Sequence, residues 1–167
     1  LPAANLVFLV DVSGSMDVDN KLPLVKKTLR LLTEQLRPQD KVTLITYSGG
    51  EELVLEPTSG REKAKILKAI NELSAGGSTA GEQAIQLAYK EAQKAFVKDG
   101  INRILLATDG DFNVGITDFD TLKSLIEEKR KGGVSLTTLG YGTDNYNEEL
   151  MEQLADAGDG NYSYIDN

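Results

Sequence analysis

The stretch DVSGSM at residues 11–16 decides how this chain is organised, because it directly follows the apolar run NLVFLV at residues 5–10. A short run rich in Val, Leu and Phe is typical of a strand that is buried on both faces of a sheet. We therefore expect Asp11 at the carboxyl end of that strand, where the backbone leaves the sheet. In open α/β sheets this is the edge at which ligands bind.

Asp11, Ser13 and Ser15 alternate along this segment, which places three oxygen-bearing side chains on one side of a tight loop. Gly14 lets the loop bend where a Cβ atom would clash. Oxygen ligands without nitrogen or sulfur suit a hard divalent cation such as Mg²⁺. The same residues also suit an ordinary turn in which Asp11 caps the next helix, and this segment alone leaves both interpretations open.

The composition is that of an ordinary globular domain, and it excludes several kinds of function. The 167 residues suffice for one domain with a substantial core. With 18 basic and 26 acidic side chains, the formal net charge is -8, which argues against nucleic acid as a partner because such binders need a cationic face. The absence of His removes the commonest general base, and the absence of Cys removes disulfides and thiolate metal sites.

No apolar stretch approaches the ~20 residues of a membrane span, so we expect no membrane insertion of this domain. The sequence starts at Leu1 rather than Met and shows no signal peptide. We interpret residues 1–167 as a single domain excised from a longer protein, and we expect it to be monomeric in isolation.

Hydrophobic periodicity predicts strands that alternate with helices along the whole chain. The predicted strands span residues 5–10, 42–47, 52–56, 101–107, 134–140 and 161–165. The predicted helices span residues 21–36, about 61–73 and about 119–131. A long helix is predicted to follow the loop 74–81 and to end at about 96 or 97, and a last helix is predicted to follow a capping box at 145–148 and to end at about 157. The apolar positions expected to face the core are Val25, Leu29, Leu32 and Leu36 on the first helix and Ile66 and Ile70 on the second.

This alternation predicts an α/β fold. Only residues 48–51 separate the second and third strands, which indicates an antiparallel hairpin. The whole pattern predicts a doubly wound, mostly parallel six-stranded sheet in the order 3-2-1-4-5-6, with one antiparallel edge strand and helices on both faces. The first and fourth strands are then neighbours, so Asp11 and Asp109 should face each other at the upper edge of the sheet.

A glycine-rich loop before the third helix, with the sequence GGST at residues 76–79, is expected to reach the same edge. The chain has no phosphate-binding motif of the P-loop type, and no GxGxxG follows a strand, which argues against a nucleotide site. The alternative is structural. The loop is then a connector in which Ser78 or Thr79 caps the helix, and Asp109-Gly110 is an ordinary turn.

With these three segments in this order, the chain closely resembles the von Willebrand factor type A domain over essentially its whole length. The residues that carry the resemblance are Asp11-x-Ser13-x-Ser15, Thr79 in Gly-Gly-Ser-Thr, and Asp109 in Ala-Thr-Asp-Gly. In that family they form the metal-ion-dependent adhesion site. Among its subfamilies, the motifs are similar to those of bacterial envelope-associated proteins named after calcium-activated chloride channels, although nothing here implies channel activity.

The assignment of Thr79 rather than Ser78 follows the family pattern, because Ala84 and Ile85 then fall where the family's helix has Ala and Leu. Ala80 stands where many relatives have Asn, which removes no ligand. Met16 and Asp17 are not ligands in the family pattern, and Asp111 is at most an outer neighbour of the ion.

The resemblance implies a bound Mg²⁺, with Mn²⁺ or Ca²⁺ as other candidates. Ser13 and Ser15 then bind the ion directly, Asp11 directly or through water, Thr79 directly in one state, and Asp109 often through water. Few direct anionic ligands leave the cation electrophilic, so that an open position can accept an Asp or Glu carboxylate of a partner protein. The implied function is non-enzymatic adhesion or scaffolding, and the implied location is the bacterial cell envelope or another extracytoplasmic site.

Two other functions remain open at this stage. A Mg²⁺-dependent hydrolase of the phosphatase type would need a second carboxylate or base near Asp11, where this chain has Ser13, and Asp111 is the one nearby candidate. The other alternative is a structural domain with a vestigial metal site.

Overall fold

The computed structural model describes residues 2–12, 16, 21–47, 51–74, 81–108, 119–141 and 148–165. The strands are β1 Ala4–Asp11, β2 Lys41–Tyr47, β3 Glu51–Ser59, β4 Ile101–Thr108, β5 Ser135–Tyr141 and β6 Tyr162–Ile165. The helices are α1 Leu22–Glu34, α2 Lys63–Asn71, α3 Gly81–Lys94, α4 Phe119–Lys129 and α5 Glu148–Ala157, and a short 3₁₀ turn, Arg130–Gly132, follows α4. Within these described ranges, no helix is both long and apolar enough to cross a membrane.

The strands form one sheet in the order β3-β2-β1-β4-β5-β6. β2 and β3 pair antiparallel, whereas every other neighbouring pair is parallel. This arrangement confirms the predicted doubly wound fold, including the hairpin at one edge. It also places β1 between β2 and β4, so that the ends of these three strands lie side by side.

The side chains of β1 contribute to both halves of the core, because successive residues of a strand point to opposite faces. Val7 and Leu9 pack in a cluster with α3, α4 and α5, whereas Phe8 and Val10 pack in a cluster with α1 and α2. All four side chains are fully buried. The prediction of a strand buried on both faces is therefore confirmed, and its physical origin is the helical layer on each side.

The buried face of α1 differs in one position from the predicted one. Val25 and Leu29 are buried, as is Leu36 just beyond the end of α1, but Leu32 is only half-buried and Thr33 is fully buried in its place. The Thr33 hydroxyl donates a hydrogen bond to the carbonyl oxygen of Leu29 at 2.7 Å. A threonine can be buried here because the preceding turn of its own helix satisfies the hydroxyl. On α2, the predicted core positions Ile66 and Ile70 are both fully buried.

β3 is longer than the sequence predicts, since it continues past Glu56 to Ser59 and includes Pro57. Proline lacks an N–H group and is tolerated on an edge strand, where no ladder hydrogen bond is lost. β3 is such an edge, and its pairing with β2 is irregular between Val42 and Ile45 before it resumes at Thr58.

Asp40 holds the amino-terminal end of the central strand, where β1 begins. Its buried carboxylate accepts hydrogen bonds from the backbone N–H groups of Ala4 and Arg37, each at 2.9 Å, and from the Arg37 guanidinium at 3.0 Å. Burial by itself raises the pKa of Asp40, but the hydrogen bonds from Arg37 and Ala4 outweigh it, so the pKa lies below the usual 3.8. This side chain therefore ties the start of β1 to the loop between α1 and β2.

Replacing this carboxylate should destabilise the protein in a pH-dependent way. Asp40→Asn should lower the free energy of unfolding at neutral pH by about 1.5–3 kcal/mol, the range for hydrogen bonds to a charged group. Because folding lowers the pKa of Asp40, its contribution is complete above the unfolded pKa and is lost as the pH falls through the folded pKa. Urea unfolding of both proteins at about pH 7 and about pH 3 measures the difference.

The exposed Asp156 provides the matched control, since Asp156→Asn should leave stability within about 0.5 kcal/mol at either pH. A difference between wild type and Asp40→Asn that stays constant down to the lower pH would contradict this account of Asp40.

Candidate metal centre

Asp11 is the last residue of β1 and is fully buried at the carboxyl edge of the sheet. Thr108, the last residue of the neighbouring strand β4, is also fully buried. Its hydroxyl donates a hydrogen bond to Oδ2 of Asp11 at 3.0 Å. The predicted placement of Asp11 at a strand end is therefore confirmed, and the ends of β1 and β4 are joined by a contact between their side chains.

The backbone on the other side of Asp11 is held by β2. Asp11 lies opposite Tyr47, the last residue of β2, and the N–H group of Val12 donates to the carbonyl oxygen of Tyr47 at 3.2 Å. Met16 is fully buried in the cluster beneath α1 and α2. The residues on both sides of the segment 13–15, Val12 and Met16, are therefore held by the sheet and the core.

A contact near the carboxyl end of α3 establishes the orientation of this helix. The side-chain amide of Asn5, near the start of β1, donates to the carbonyl oxygen of Ala92 at 2.9 Å. Its second partner is Asn102 near the start of β4, at 3.1 Å. The carboxyl end of α3 therefore lies over the amino ends of these two strands.

The lengths of the two elements then determine where α3 begins. From Gly81 to Ala92, α3 rises roughly 17 Å at about 1.5 Å per residue. The stretch of β1 from Asn5 to Asp11 spans roughly 20 Å at about 3.3 Å per residue. With α3 running opposite to β1, its start at Gly81 therefore lies near the carboxyl end of β1, within about one helical turn of the level of Asp11. The segment 75–80, which contains Thr79, directly precedes Gly81.

Small side chains let α3 lie close to this part of the sheet. Ala84, Ala88 and Ala92 are fully buried, and they pack in the same cluster as Val7 and Leu9. By strand alternation, Asp11 and Thr108 lie on the face of the sheet that α3 covers. The described residues thus bring the ends of β1 and β4 and the start of α3 to one place.

Of the five predicted metal ligands, the structure describes only Asp11. Ser13, Ser15, Thr79 and Asp109 lie outside the described residues, as do Asp17 and Asp111. Their roles stay predictions. Among the residues that are described, no group of three or more His, Cys, Asp or Glu side chains could hold a metal ion. A cation at Asp11 would therefore need ligands from the segments that follow the strand ends.

The side chain at the end of β5 adds no anionic group to this edge. Tyr141 is fully buried two strands away from β1, and burial raises its pKa to about 12, partly offset by its contact with Thr28. The phenol is consequently neutral at physiological pH. Among the described residues, Asp11 is the one acidic side chain at the carboxyl ends of β1, β2, β4 and β5.

Sequence reasoning assigned no role to Thr108. The structure gives it one, because its hydroxyl fixes one carboxylate oxygen of Asp11 and so orients the side chain. The signal that could have identified it is its position, since it is a hydroxyl residue that ends a buried strand adjacent to β1 and directly precedes Asp109.

Comparison with known proteins identifies relatives that match nearly the full length of this chain. The family description of the von Willebrand factor type A domain matches residues 5–167. Uncharacterized protein YfbK of Escherichia coli K12 is 54% identical over 166 residues, which is 99% of this chain. The chain spans only 29% of the length of that relative.

Solved structures with this fold include an aerotolerance-related membrane protein from Bacteroides fragilis, with a TM-score of 0.78 and 21% identity over 99% of this chain and 92% of that one. Proximal thread matrix protein 1 from the mussel byssus, solved with zinc in its metal-ion-dependent adhesion site, has a TM-score of 0.74 and 21% identity over 99% of this chain and 42% of that one. At this identity the likeness extends to the fold alone, and it confirms the Rossmann-like arrangement of sheet and helices.

The hydrogen bond between Thr108 and Asp11 gives a direct test of how this edge is held. Thr108→Val removes the hydroxyl and keeps the shape, so it should lower the free energy of unfolding by about 1–3 kcal/mol because the buried carboxylate loses a donor. Chemical denaturation in the absence of divalent cations measures this effect.

Thr43 offers a matched control, since it is equally buried and no partner for its hydroxyl is present among the described residues. Thr43→Val should therefore be neutral or stabilising. Equal losses of stability in the two variants would show that Thr108 has no special relation to Asp11.

Proposed function

This chain belongs to the von Willebrand factor type A domain family, and we propose that it is a divalent-cation-dependent module that binds an acidic residue of a partner protein. Domains of this family often mediate metal-dependent protein interactions. The observation that carries the proposal for this chain is the buried carboxylate of Asp11 at the carboxyl end of the central strand, held by Thr108 and near the start of α3.

The donor set fits a hard cation. Asp11 supplies a buried carboxylate, one oxygen of which accepts a hydrogen bond from the hydroxyl of Thr108. The other proposed ligands are the hydroxyls of Ser13, Ser15 and Thr79 and the carboxylate of Asp109. All five donors are oxygen atoms, which favours Mg²⁺, with Mn²⁺ and Ca²⁺ as the closest substitutes.

In this mechanism the protein contributes little negative charge to the metal site. Asp11 and Asp109 provide at most two negative charges, and the three hydroxyl ligands provide none. A divalent cation held in this way supplies an electrophilic position to an external carboxylate. Thr108 keeps Asp11 in place, and the hydrogen bond from Val12 to Tyr47 fixes the exit of the chain against β2.

We propose that the domain binds and does not catalyse. The chain contains no His and no Cys, so it lacks the usual base and nucleophile pairs for hydrolysis. The proposed location is the bacterial cell envelope, which is supported by the likeness to the Bacteroides fragilis membrane protein. Because the chain spans 29% of YfbK, we propose that residues 1–167 act as one domain of a longer protein.

The metal site can be tested with one isosteric substitution. Asp11→Asn keeps an oxygen that accepts the hydrogen bond from Thr108 but removes the charge. Wild type should gain about 2.7 kcal/mol of stability when Mg²⁺ is present at about 100 times its dissociation constant, and the variant should gain almost none. Thermal unfolding with Mg²⁺, Mn²⁺, Ca²⁺ and a chelator measures the effect and identifies the preferred ion.

The exposed Asp156→Asn substitution serves again as control, and it should keep the full response to the ion. The proposal would be overturned if no divalent cation stabilised wild type, or if Asp11→Asn responded as strongly as wild type.

Binding and hydrolysis can be separated on the same protein. Immobilised wild-type domain should retain a protein from bacterial envelope extract in Mg²⁺ and release it into chelator, whereas Asp11→Asn should retain none. Over the same period, p-nitrophenyl phosphate should not be hydrolysed. Mg²⁺-dependent turnover that is lost in Asp11→Asn would instead favour the phosphatase alternative.

A further inference from the structure

A cavity of about 240 Å³ opens near the carboxyl ends of β1 and β2, on the face of the sheet that α1 and α2 cover and opposite the face on which Asp11 lies. We call it the α2 pocket. Its walls come from three directions: Val12 after β1, Thr46 and Val54 of the β2–β3 hairpin, and four residues at the end of α2, which are Ala69, Glu72, Leu73 and Ser74.

The position of the α2 pocket links it to the proposed metal. Val12 is the residue after Asp11, so their Cα atoms are about 3.8 Å apart. Ser74 is the last described residue before the segment 75–80 that carries Thr79. One wall residue therefore belongs to the segment that begins with Asp11, and another directly precedes the segment of Thr79, so a partner that binds at this edge of the sheet can contact both the metal and the pocket.

The size of the α2 pocket indicates a single side chain as its occupant. Sites for small molecules usually measure about 300–1,000 Å³, and this cavity is smaller and open to solvent. A partner that places a carboxylate at the metal would thus fill the pocket with one neighbouring residue.

The chemistry of the walls indicates which residue this is. Val12, Val54, Ala69 and Leu73 form an apolar lining, in which Leu73 is buried and the other three are half-buried. Glu72 is exposed, and it is the charged residue among the described lining residues. A long cationic side chain matches both features, because its aliphatic stem packs on apolar walls while its charged end stays near water and a carboxylate.

We propose that the α2 pocket binds a Lys or Arg side chain of the same partner whose Asp or Glu carboxylate binds the metal, an inference that rests on the proposed function. The site then recognises a pair of opposite charges at a fixed spacing. The formal net charge of -8 favours the approach of such a cationic group, whereas a peptide with only acidic residues would be repelled.

The experiment is a selection from a random peptide library on the intact domain in Mg²⁺, with elution by chelator. Eluted peptides should share one acidic residue and one Lys or Arg at a constant spacing. Glu72→Gln should weaken binding of a selected peptide by about two- to fivefold, the range expected for a solvent-exposed ion pair. Ala69→Leu, which fills the pocket, should weaken it by about tenfold or more.

Charge reversal at Glu72 gives the most specific test of this inference. Glu72→Lys should bind the selected peptide poorly but should prefer a peptide whose Lys or Arg is replaced by Glu, which a merely structural role for Glu72 would not produce. Glu152→Lys on α5 is the matched control, since it is also exposed and its helix packs on β5 and β6 at the other side of the sheet. It should leave both affinities unchanged.

The outcomes separate this inference from the proposed function. If chelator elutes no peptide, the metal-dependent function fails and the inference fails with it. If eluted peptides share an acidic residue without a basic one, or carry an aliphatic residue in its place, only the inference is overturned. The inference is also overturned, and the proposed function is not, if the basic preference survives both Glu72→Lys and Ala69→Leu.

Discussion

The hydrogen bond between Thr108 and Asp11 is the constraint on which the candidate site depends, because it joins the carboxyl ends of two central strands through a buried carboxylate. A fully buried carboxylate is tolerated only where it is hydrogen-bonded, and here one of its oxygens accepts a hydrogen bond from the neighbouring strand. The sheet thus supplies rigidity and the loops supply ligands, which is the usual division of labour at the carboxyl edge of an open α/β sheet.

Contacts at the amino-terminal ends of the strands maintain the geometry of the candidate site. Asp40 ties the start of β1 to the loop after α1, and Asn5 and Asn102 tie the starts of β1 and β4 to the end of α3. Because these contacts fix one end of each element, the known rise per residue of helix and strand determines where the other end lies. The metal edge is therefore positioned from a distance of about 20 Å by side chains that never approach it.

A site of this kind can be selective without catalysis. The metal would recognise any carboxylate, so discrimination among partners has to come from the surface around it. The α2 pocket offers such a surface, since it is lined by a different set of residues and carries its own charge at Glu72. Val12 borders the pocket and directly follows Asp11, which means that the two recognition elements are rigidly connected through one short stretch of backbone.

The sequence by itself determined the order of the strands, the hairpin between β2 and β3, and the place of Asp11 at a strand end, because hydrophobic period and short connections are local properties of the chain. It also predicted a set of ligands, of which Asp11 is the one the structure describes. Only the tertiary structure decided the role of Thr108, which is distant from Asp11 in sequence and next to it through strand pairing. The extension of β3 past Pro57 likewise depended on pairing with β2, which no local pattern reveals. The α2 pocket lay beyond sequence reasoning for the same reason, since its walls are brought together by packing between segments that are far apart along the chain.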